Sequence, residues 1–330
     1  MSSRTPSVTA SLVAGLLAAG LLAAPALAVP GLAQAAEDGW SPLVDPARLA
    51  ALEETIDPVV LDIRAVGAFA EGHIPGAANA PYTQWRGPSD NPGALPEEAL
   101  LSVLVGESGI DEETPVVVVH DGGSASDFGS AARVYWTLKS LGVERIAILN
   151  GGVRAWVASG RSLSTEPVRP DPTIFEARLS DAWRASTAEI EAAIESGDAR
   201  LVDARPEPFF LGRMWHSAAA RPGTLPTAES FSHASWFVGE SPLVVDAERA
   251  RAIAESAGLA DGATLVSFCN TGHWAATNWF ALSELAGIEG VRLYPESMVE
   301  WTQAGGALDN EPGHVEWLYL STRQWIQSIL

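Results

Sequence analysis

The 330-residue sequence predicts an α/β fold in which one plan occurs twice along the chain. First, apolar runs of strand length alternate with helical patterns, which is typical of a mainly parallel sheet flanked by helices. Second, an apolar strand that ends in Asp-x-Arg occurs at 59–64 and again at 200–205. Because internal similarity indicates a repeated unit, we expect two α/β domains of the same design.

The remaining elements follow in the same order in both halves. The first half opens at 45–52, where Asp45 suits an N-cap and Pro46 the first helical position. The second half opens at 186–194, where Ser186 and Glu189 have the spacing of a capping box. Each half then continues with two buried strands and an intervening helix. These strands are expected at 116–120, 146–149, 264–268 and 291–294, and the helices at 131–141 and 275–286.

Composition shifts divide the chain further. The segment RSLSTEPVRPDP between the halves is Pro-rich and polar, which is typical of a linker. Residues 314–320 lie in a tail with no counterpart in the first half, and we expect a strand or an ordered arm there. The predicted boundaries are 1–35 for a signal peptide, 41–160 for the first domain, 161–182 for the linker, 183–306 for the second domain and 307–330 for an extension.

The N-terminal segment resembles an export signal. Residues 1–35 contain no Asp or Glu, and an apolar run from Ala10 to Val29 precedes the small-residue site ending at Ala35. This pattern predicts a secretory signal peptide cleaved after Ala35, and hence a periplasmic or secreted protein without stable membrane association. The alternative is an uncleaved anchor, because the run approaches the ~20 residues that span a bilayer.

Charge and cysteine content exclude several classes of function. The net charge of −21 argues against a nucleic acid or an anionic membrane as partner, because both are bound by basic surfaces. A single cysteine forms no intrachain disulfide, Cys-rich zinc site or iron–sulfur cluster. We therefore expect no metal and no organic cofactor. Two domains that pair with each other make a monomer the expected state.

Three motifs point to a known family. The first half contains GHIPGA at 72–77 and LNGGVRAW at 149–156, and the second half has weaker versions at 223–226 and 296–301. With the Asp-x-Arg strands, these motifs resemble the rhodanese family in tandem form, with two rhodanese-like domains. That resemblance implies a sulfurtransferase of the thiosulfate or 3-mercaptopyruvate type, with its working cysteine in the second domain only.

Cys269 is therefore the predicted catalytic nucleophile. It directly follows a buried strand and opens the loop CNTGHW, which leads into the helix expected at 275. Backbone N–H groups of such a loop, and the helix N-terminus, stabilise a thiolate or a persulfide, so we expect a lowered Cys269 pKa. The structural alternative is a cysteine that serves only as a small buried hydrophobe.

Six further residues are predicted to bind the donor. The resemblance implies that Arg205 helps to hold an anionic donor, although an ion pair with a nearby carboxylate is the alternative. The imidazole of His273 would donate to an anion or face solvent, and Trp274 would wall the pocket or pack between the domains. The predicted set is Arg205, Asn270, Thr271, Gly272, His273 and Trp274.

The first half should be inactive, because it has no cysteine. Asp121 is expected where a first-domain cysteine would stand, and this half is expected to cover the active loop and complete the cleft. Asp62 and Asp203 are expected to fix the turns after their strands rather than to act in catalysis.

The predicted reaction moves a sulfane sulfur from a small anionic donor, through a Cys269 persulfide, to a thiol, cyanide or a protein acceptor. Thiosulfate-type loops carry basic side chains after the cysteine and mercaptopyruvate-type loops a Gly-Ser pair, and CNTGHW has neither. A periplasmic sulfur carrier that docks a partner protein is therefore the alternative. Phosphatase chemistry needs an arginine six positions after the cysteine, where Ala275 stands, and no motif marks a thiol protease.

Overall fold

The computed structural model describes residues 1–2 and 40–329. Nearly all of the predicted signal peptide, with its cleavage site after Ala35, lies outside these residues. Among the helices in the described ranges, none is long and apolar enough to cross a membrane.

The first half forms a five-stranded parallel sheet in the order β1-β5-β4-β2-β3. Its strands are β1 (Leu43–Val44), β2 (Val59–Asp62), β3 (Ala78–Asn79), β4 (Val116–Val119) and β5 (Ile146–Leu149). Its helices are α1 (Pro46–Thr55), α2 (Val66–Glu71), α3 (Glu98–Glu107), α4 (Ala125–Ser140) and α5 (Gly152–Ala158). Successive β4 valines pack into different apolar clusters on the two faces, which explains the continuous apolar run.

The second half forms a four-stranded parallel sheet in the order β7-β6-β8-β9. Its strands are β6 (Ala199–Asp203), β7 (Glu229–Ser230), β8 (Thr264–Phe268) and β9 (Val291–Leu293). Its helices are α6 (Thr187–Ser196), α7 (Glu207–Phe210), α8 (Ala247–Ser256), α9 (His273–Phe280), α10 (Ser297–Gln303) and α11 (His314–Ile329).

The two sheets share one strand order. The run β3-β2-β4-β5 of the first half corresponds to β7-β6-β8-β9 of the second. At the position of β1, the second half has only a parallel bridge between Arg184 and Leu293. The predicted fold class, two similar α/β units with parallel sheets flanked by helices, is confirmed.

Local capping signals position the helices. Asp45 accepts a hydrogen bond from the Arg48 N–H at the start of α1, and Ser186 forms the predicted capping box at α6. Helix α4 begins six residues before its predicted start because Ser124 and Asp127 form a further capping box. Helix α9 also begins earlier than predicted, at His273 rather than at residue 275, and continues as a π-helical turn over Ala281–Leu285.

The two halves share one core, which α4 and α9 form where they pack together. The rings of Tyr135 and Phe280 meet edge to face with their centroids 5.0 Å apart. At the same interface, the Tyr135 hydroxyl donates to Glu284 over 2.7 Å and Lys139 pairs with Glu284 at 2.8 Å. This contact places the N-terminal end of α4 beside the N-terminal end of α9, where the Cys269 loop lies.

The C-terminal tail is helical, so the predicted strand is wrong, while the predicted alternative of an ordered arm stays open. Residues 314–320 form the first turns of α11 rather than a strand, because the apolar side chains recur at helical spacing. Val315, Leu318 and Tyr319 are exposed on this helix. Before it, Asp309 forms an antiparallel bridge with Thr224, which ties the start of the extension to the second half.

Candidate active site

Cys269 occupies the turn between β8 and α9. Its side chain is 1% exposed. Its backbone N–H donates to Oγ of Ser297 over 3.0 Å, and its carbonyl accepts from the N–H of Met298 over 3.2 Å. The Val299 N–H donates to the carbonyl of Asn270 over 3.1 Å. The first turn of α10 thus holds the backbone of the loop that carries the thiol.

The loop has four residues, 269–272, instead of the six predicted, because α9 begins at His273. Gly272 closes it with φ +67°, a left-handed conformation that favours glycine. A Cβ at this position would collide with Nη1 of Arg133 and with the carbonyl oxygen of Pro295. The structure thus confirms the unusual backbone angles predicted at Gly272, and it adds a steric reason for the glycine.

Asn270 and Thr271 are buried and held by two arginines through their oxygen atoms. Oδ1 of Asn270 accepts from Nη1 of Arg205 over 3.3 Å, and the Thr271 carbonyl accepts from Nη2 of Arg86 over 3.3 Å. Among the described contacts, no protein acceptor takes the backbone N–H of Asn270 or of Thr271. Donation from these N–H groups to an anion stays a prediction.

Arg205 lies beneath the loop with a side chain 1% exposed. Its guanidinium pairs with Asp203 at 2.6 Å and donates to the Gly223 carbonyl over 2.8 Å. The carboxylate of Asp203 also accepts the backbone N–H of Arg205, so it fixes the turn as predicted. Most of the Arg205 donors are thus used by protein atoms. This geometry favours the ion-pair alternative, and donor binding by Arg205 stays a prediction.

His273 and Trp274 point into the interface with the first half. Nδ1 of His273 lies 3.0 Å from the Tyr82 hydroxyl, and Nε2 lies 3.0 Å from Oγ of Ser126. Burial, reinforced by the Arg86 charge, lowers the pKa of His273 to about 3, so the imidazole is neutral at pH 7. Trp274 stacks on His233 with centroids 4.9 Å apart. Nε1 of Trp274 also donates to Oγ of Ser126 over 3.3 Å, so both side chains contact the first half. Both ring nitrogens of His273 have partners there, which argues against the predicted solvent-facing alternative.

Three residues of the first half reach the loop and were not predicted from the sequence. Tyr82 and Arg86 contact each other, with Nη1 of Arg86 2.6 Å from the hydroxyl. Arg133 projects from α4 and is fully buried, and its Nη2 donates to the Gly93 carbonyl over 2.8 Å. The one feature of the sequence that could have indicated these residues is Arg133 itself, a charged residue among the apolar residues of α4. These contacts confirm that the first half covers the active loop.

The residue that corresponds to Cys269 in the first half is His120, not Asp121 as predicted. In the sheets, Asp62 pairs with Val119 and Asp203 pairs with Phe268, so the next residues along β4 and β8 are His120 and Cys269. The His120 carbonyl accepts the Val153 N–H over 2.9 Å, as the Cys269 carbonyl accepts that of Met298. The prediction was off by one because the first loop has one more residue before its helix.

Asp121 lies at the rim of a separate cavity in the first half. It pairs with Arg154 at 2.7 Å, and its side chain is 41% exposed. The cavity measures about 310 Å³ and includes His120 and Arg64 in its lining. Within residues 40–329, this cavity included, no cluster of three His, Cys, Asp or Glu side chains is arranged to hold a metal ion.

The model of the rhodanese-like domain matches residues 45–159 and, a second time, residues 186–304. The chain belongs to the rhodanese family. Among curated members, it is similar to a thiosulfate sulfurtransferase of Pseudomonas aeruginosa, with 30% identity over 78% of this chain and 93% of that one. It is also similar to the bovine thiosulfate sulfurtransferase, with 31% identity over 71% of this chain and 78% of that one. These relatives support a sulfurtransferase role.

Solved structures show the same fold at lower identity. The anaerobic ergothioneine biosynthesis enzyme from Chlorobium limicola, in complex with trimethyl histidine, superposes with a TM-score of 0.72 at 21% identity. The alignment covers 82% of this chain and 71% of that enzyme. At this identity the likeness concerns the rhodanese fold alone.

Proposed function

We propose that this rhodanese transfers a sulfane sulfur from a small anionic donor to a thiophilic acceptor through a persulfide on Cys269. The observation that carries the proposal is the position of Cys269, at the carboxyl end of β8 in a loop closed by the N-terminus of α9. Unused backbone N–H groups and the positive end of the helix favour an anion at this point. A thiolate and a persulfide are both such anions.

The reaction has two balanced steps. The Cys269 thiolate attacks the outer sulfur of thiosulfate, a Cys269 S–S bond forms, the donor S–S bond breaks and sulfite leaves with its electron pair. Cyanide or an acceptor thiolate then attacks the terminal sulfur of the persulfide, which regenerates the Cys269 thiolate. Thiosulfate is the first donor to test because the curated relatives carry its name. 3-Mercaptopyruvate is the second, because CNTGHW matches neither donor class.

The donor must be able to reach the buried sulfur of Cys269. Because Cys269 is 1% exposed, a donor reaches its sulfur only when covering side chains move. The covering groups come partly from the first half, through Tyr82 and Arg86. We therefore expect a small donor rather than a bulky one.

A sulfur carrier is the second candidate function. The exposed apolar residues of α11, including Leu318 and Tyr319 at 63% and 66% exposure, favour docking of a partner. In this case Cys269 receives its sulfur from another protein and turns over small donors slowly.

An assay of thiocyanate formation separates the two candidates. The purified protein is incubated with thiosulfate or 3-mercaptopyruvate plus cyanide, and the Cys269→Ser variant is expected to lose turnover. Asp121→Asn is the matched control, because Asp121 lies away from the loop and should leave turnover unchanged. Thiocyanate formation that survives Cys269→Ser would exclude the proposed nucleophile. Wild-type protein that is inert with both donors, yet accepts a persulfide from a partner, would establish the carrier function.

We further propose that the protein is exported, as its N-terminal sequence predicts. The expected product is a chain that begins at Ala36, which N-terminal sequencing of the exported form would detect. An intact Met1 on that form would contradict cleavage and favour an anchor.

A further inference from the structure

Helix α4 of the first half carries a buried arginine that forms no ion pair within the described residues. The Arg133 side chain is fully buried, and its Nη2 is bonded to the Gly93 carbonyl. Within the described residues, Nε and Nη1 have no hydrogen-bond partner. A buried guanidinium with two unused donors is costly, because water no longer solvates these donors and no hydrogen-bond acceptor replaces that water.

The buried carboxylate of Glu296, which acts electrostatically on Arg133, does not satisfy these donors. Glu296 is buried, and its Oε1 pairs with Arg184 at 2.7 Å. Its Oε2 has no partner among the described residues, so it forms no bond with Arg133. The free donors of Arg133 therefore remain available to an anion that the folded chain itself does not supply.

The direction of the side chain shows where such an anion would lie. A Cβ on Gly272 would overlap Nη1 of Arg133, so Nη1 packs directly against the loop that begins at Cys269. Burial and the Arg86 charge lower the pKa of Arg133 to about 10, while negative charge on Tyr82, Glu296 and Cys269 raises it. The guanidinium is thus charged at neutral pH, and it interacts electrostatically with the thiol.

We propose that Arg133 is a positioning residue for the active site, whose charge stabilises the Cys269 thiolate and the persulfide that follows from it. The proposal rests on the proposed function for the persulfide, but its effect on the thiolate can be measured without any sulfur transfer. The half that lacks a cysteine would then contribute to the active site, because it supplies the Arg133 guanidinium.

Several other groups also act on the Cys269 charge. Arg86 and Tyr82 face the loop from the first half, His273 faces it from α9, and Glu296 lies on the segment before α10. Arg86 already donates to Tyr82, Thr271 and Pro92, and His273 is neutral at pH 7. Arg133 is therefore the cation of this group with free donors.

The test uses Cys269 as its own probe, since it is the single cysteine of the chain. The rate of alkylation by iodoacetamide is measured against pH for the wild type and for Arg133→Met. We expect the apparent pKa of Cys269 to rise by about one unit, which lowers the thiolate fraction about tenfold at a pH below both values and slows alkylation by about three- to tenfold. The rate at the high-pH plateau, which reports access, should not fall, because a thiol of higher pKa is intrinsically more nucleophilic.

Two further variants keep the test decisive. Arg200→Gln, which removes an arginine paired with Glu229 far from the loop, should leave the profile unchanged. If Arg133→Met does not fold, Arg133→Lys carries the test, because a buried ammonium loses its proton more readily than a guanidinium and cannot replace both free donors. The pKa of Cys269 should then rise as well.

The outcomes distinguish this proposal from the proposed function. An unchanged alkylation profile in the Arg133 variant that folds would overturn the role of Arg133, even if the wild type forms thiocyanate. A shifted profile in a protein that forms no thiocyanate would support the role of Arg133 and contradict the enzymatic function. A lower plateau without a shift in pKa would show that Arg133 acts only on access or packing, and would also overturn the proposal.

Discussion

The turn after β2 in the first half and the turn after β6 in the second are stabilised by the same contacts, but only the second half has a cysteine next to its turn. In the first half, Arg64 pairs with Asp62 at 2.6 Å and donates to the Gly72 carbonyl over 2.8 Å. In the second half, Arg205 makes equivalent contacts with Asp203 and Gly223 at the same distances. Because the half without a cysteine keeps this arrangement, the Asp-x-Arg motif is a structural element of the fold.

The differences between the halves lie in the loop and in what reaches it. His120 stands at the place of Cys269. Arg205 makes an additional bond to Asn270, and the second loop is covered by Arg133 from α4. Arg133 follows the N-cap of its helix, Ser124, by the same number of residues as Ala281 follows the N-cap Gly272. The equivalent of Arg133 in the second half is therefore an alanine. The two halves thus share the same backbone arrangement at the turn, but only the Cys269 loop has these charged side chains around it.

The largest expected effect comes from moving the thiol to the other loop. The double variant Cys269→Ser and His120→Cys should lose at least about a thousandfold in turnover, as nucleophile removal does in other enzymes that use covalent catalysis. The first loop has the same scaffold but no counterpart of Arg133. Thiocyanate formation in this variant is the measurement, and recovered turnover would show that the scaffold suffices.

The next effect concerns stability. Arg205→Met leaves the fully buried Asp203 carboxylate without its cation, which should lower the free energy of unfolding by about 3–5 kcal/mol. Arg64→Met should cost less, because the Arg64 side chain is 10% exposed and water can reach the carboxylate. Urea denaturation of both variants measures the difference. Equal losses would show that the two turns are energetically the same.

Two histidines with strongly lowered pKa values, His120 and His273, should make the protein sensitive to acid. Burial lowers the pKa of His120 to about 4 and that of His273 to about 3, against about 6.5 in the unfolded chain. The unfolded state therefore binds more protons below pH 6.5. Stability should fall as the pH drops from about 6.5 toward 4, by at most about 1.4 kcal/mol per pH unit for each histidine.

Substitution of His120 tests this pH dependence in the first half. His120→Phe should reduce the slope of unfolding free energy against pH, and the exposed His314→Ala should leave it unchanged. Unfolding curves between pH 4 and 7 provide the measurement. A slope that does not change in His120→Phe would place the acid sensitivity elsewhere.

The smallest expected effect is that of salt. A chain cleaved after Ala35 keeps 19 basic and 41 acidic residues, a net charge of −22 that repels an anionic donor. Added salt should therefore raise the rate at which the donor reacts with Cys269, because it screens this repulsion. Rapid-mixing measurements at increasing ionic strength test the effect. A rate that falls instead would show that local cations such as Arg133 dominate the approach.

Much of the fold was predictable because its signals are local. The strands at 146–149 and 264–268 were predicted with their observed limits, since continuous apolar runs mark strands buried on both faces. The caps at Asp45 and Ser186 were predicted because their side chains bond the next turn of the same helix. The start of α9 was missed because glycine can end a loop without any side-chain cap.

The sequence by itself determined the duplicated α/β plan, the position of Cys269 after a strand and the glycine that closes its loop. These features depend on residues within a few positions of one another. Only the tertiary structure decided that His120 corresponds to Cys269, because the register depends on hydrogen bonds between strands. It alone brought Arg133 to Gly272, since that contact forms only when α4 packs against α9 across 139 positions of the chain. The position of Cys269 after its strand is thus a local property of the chain, while the charge around it is a product of the packing between the two halves.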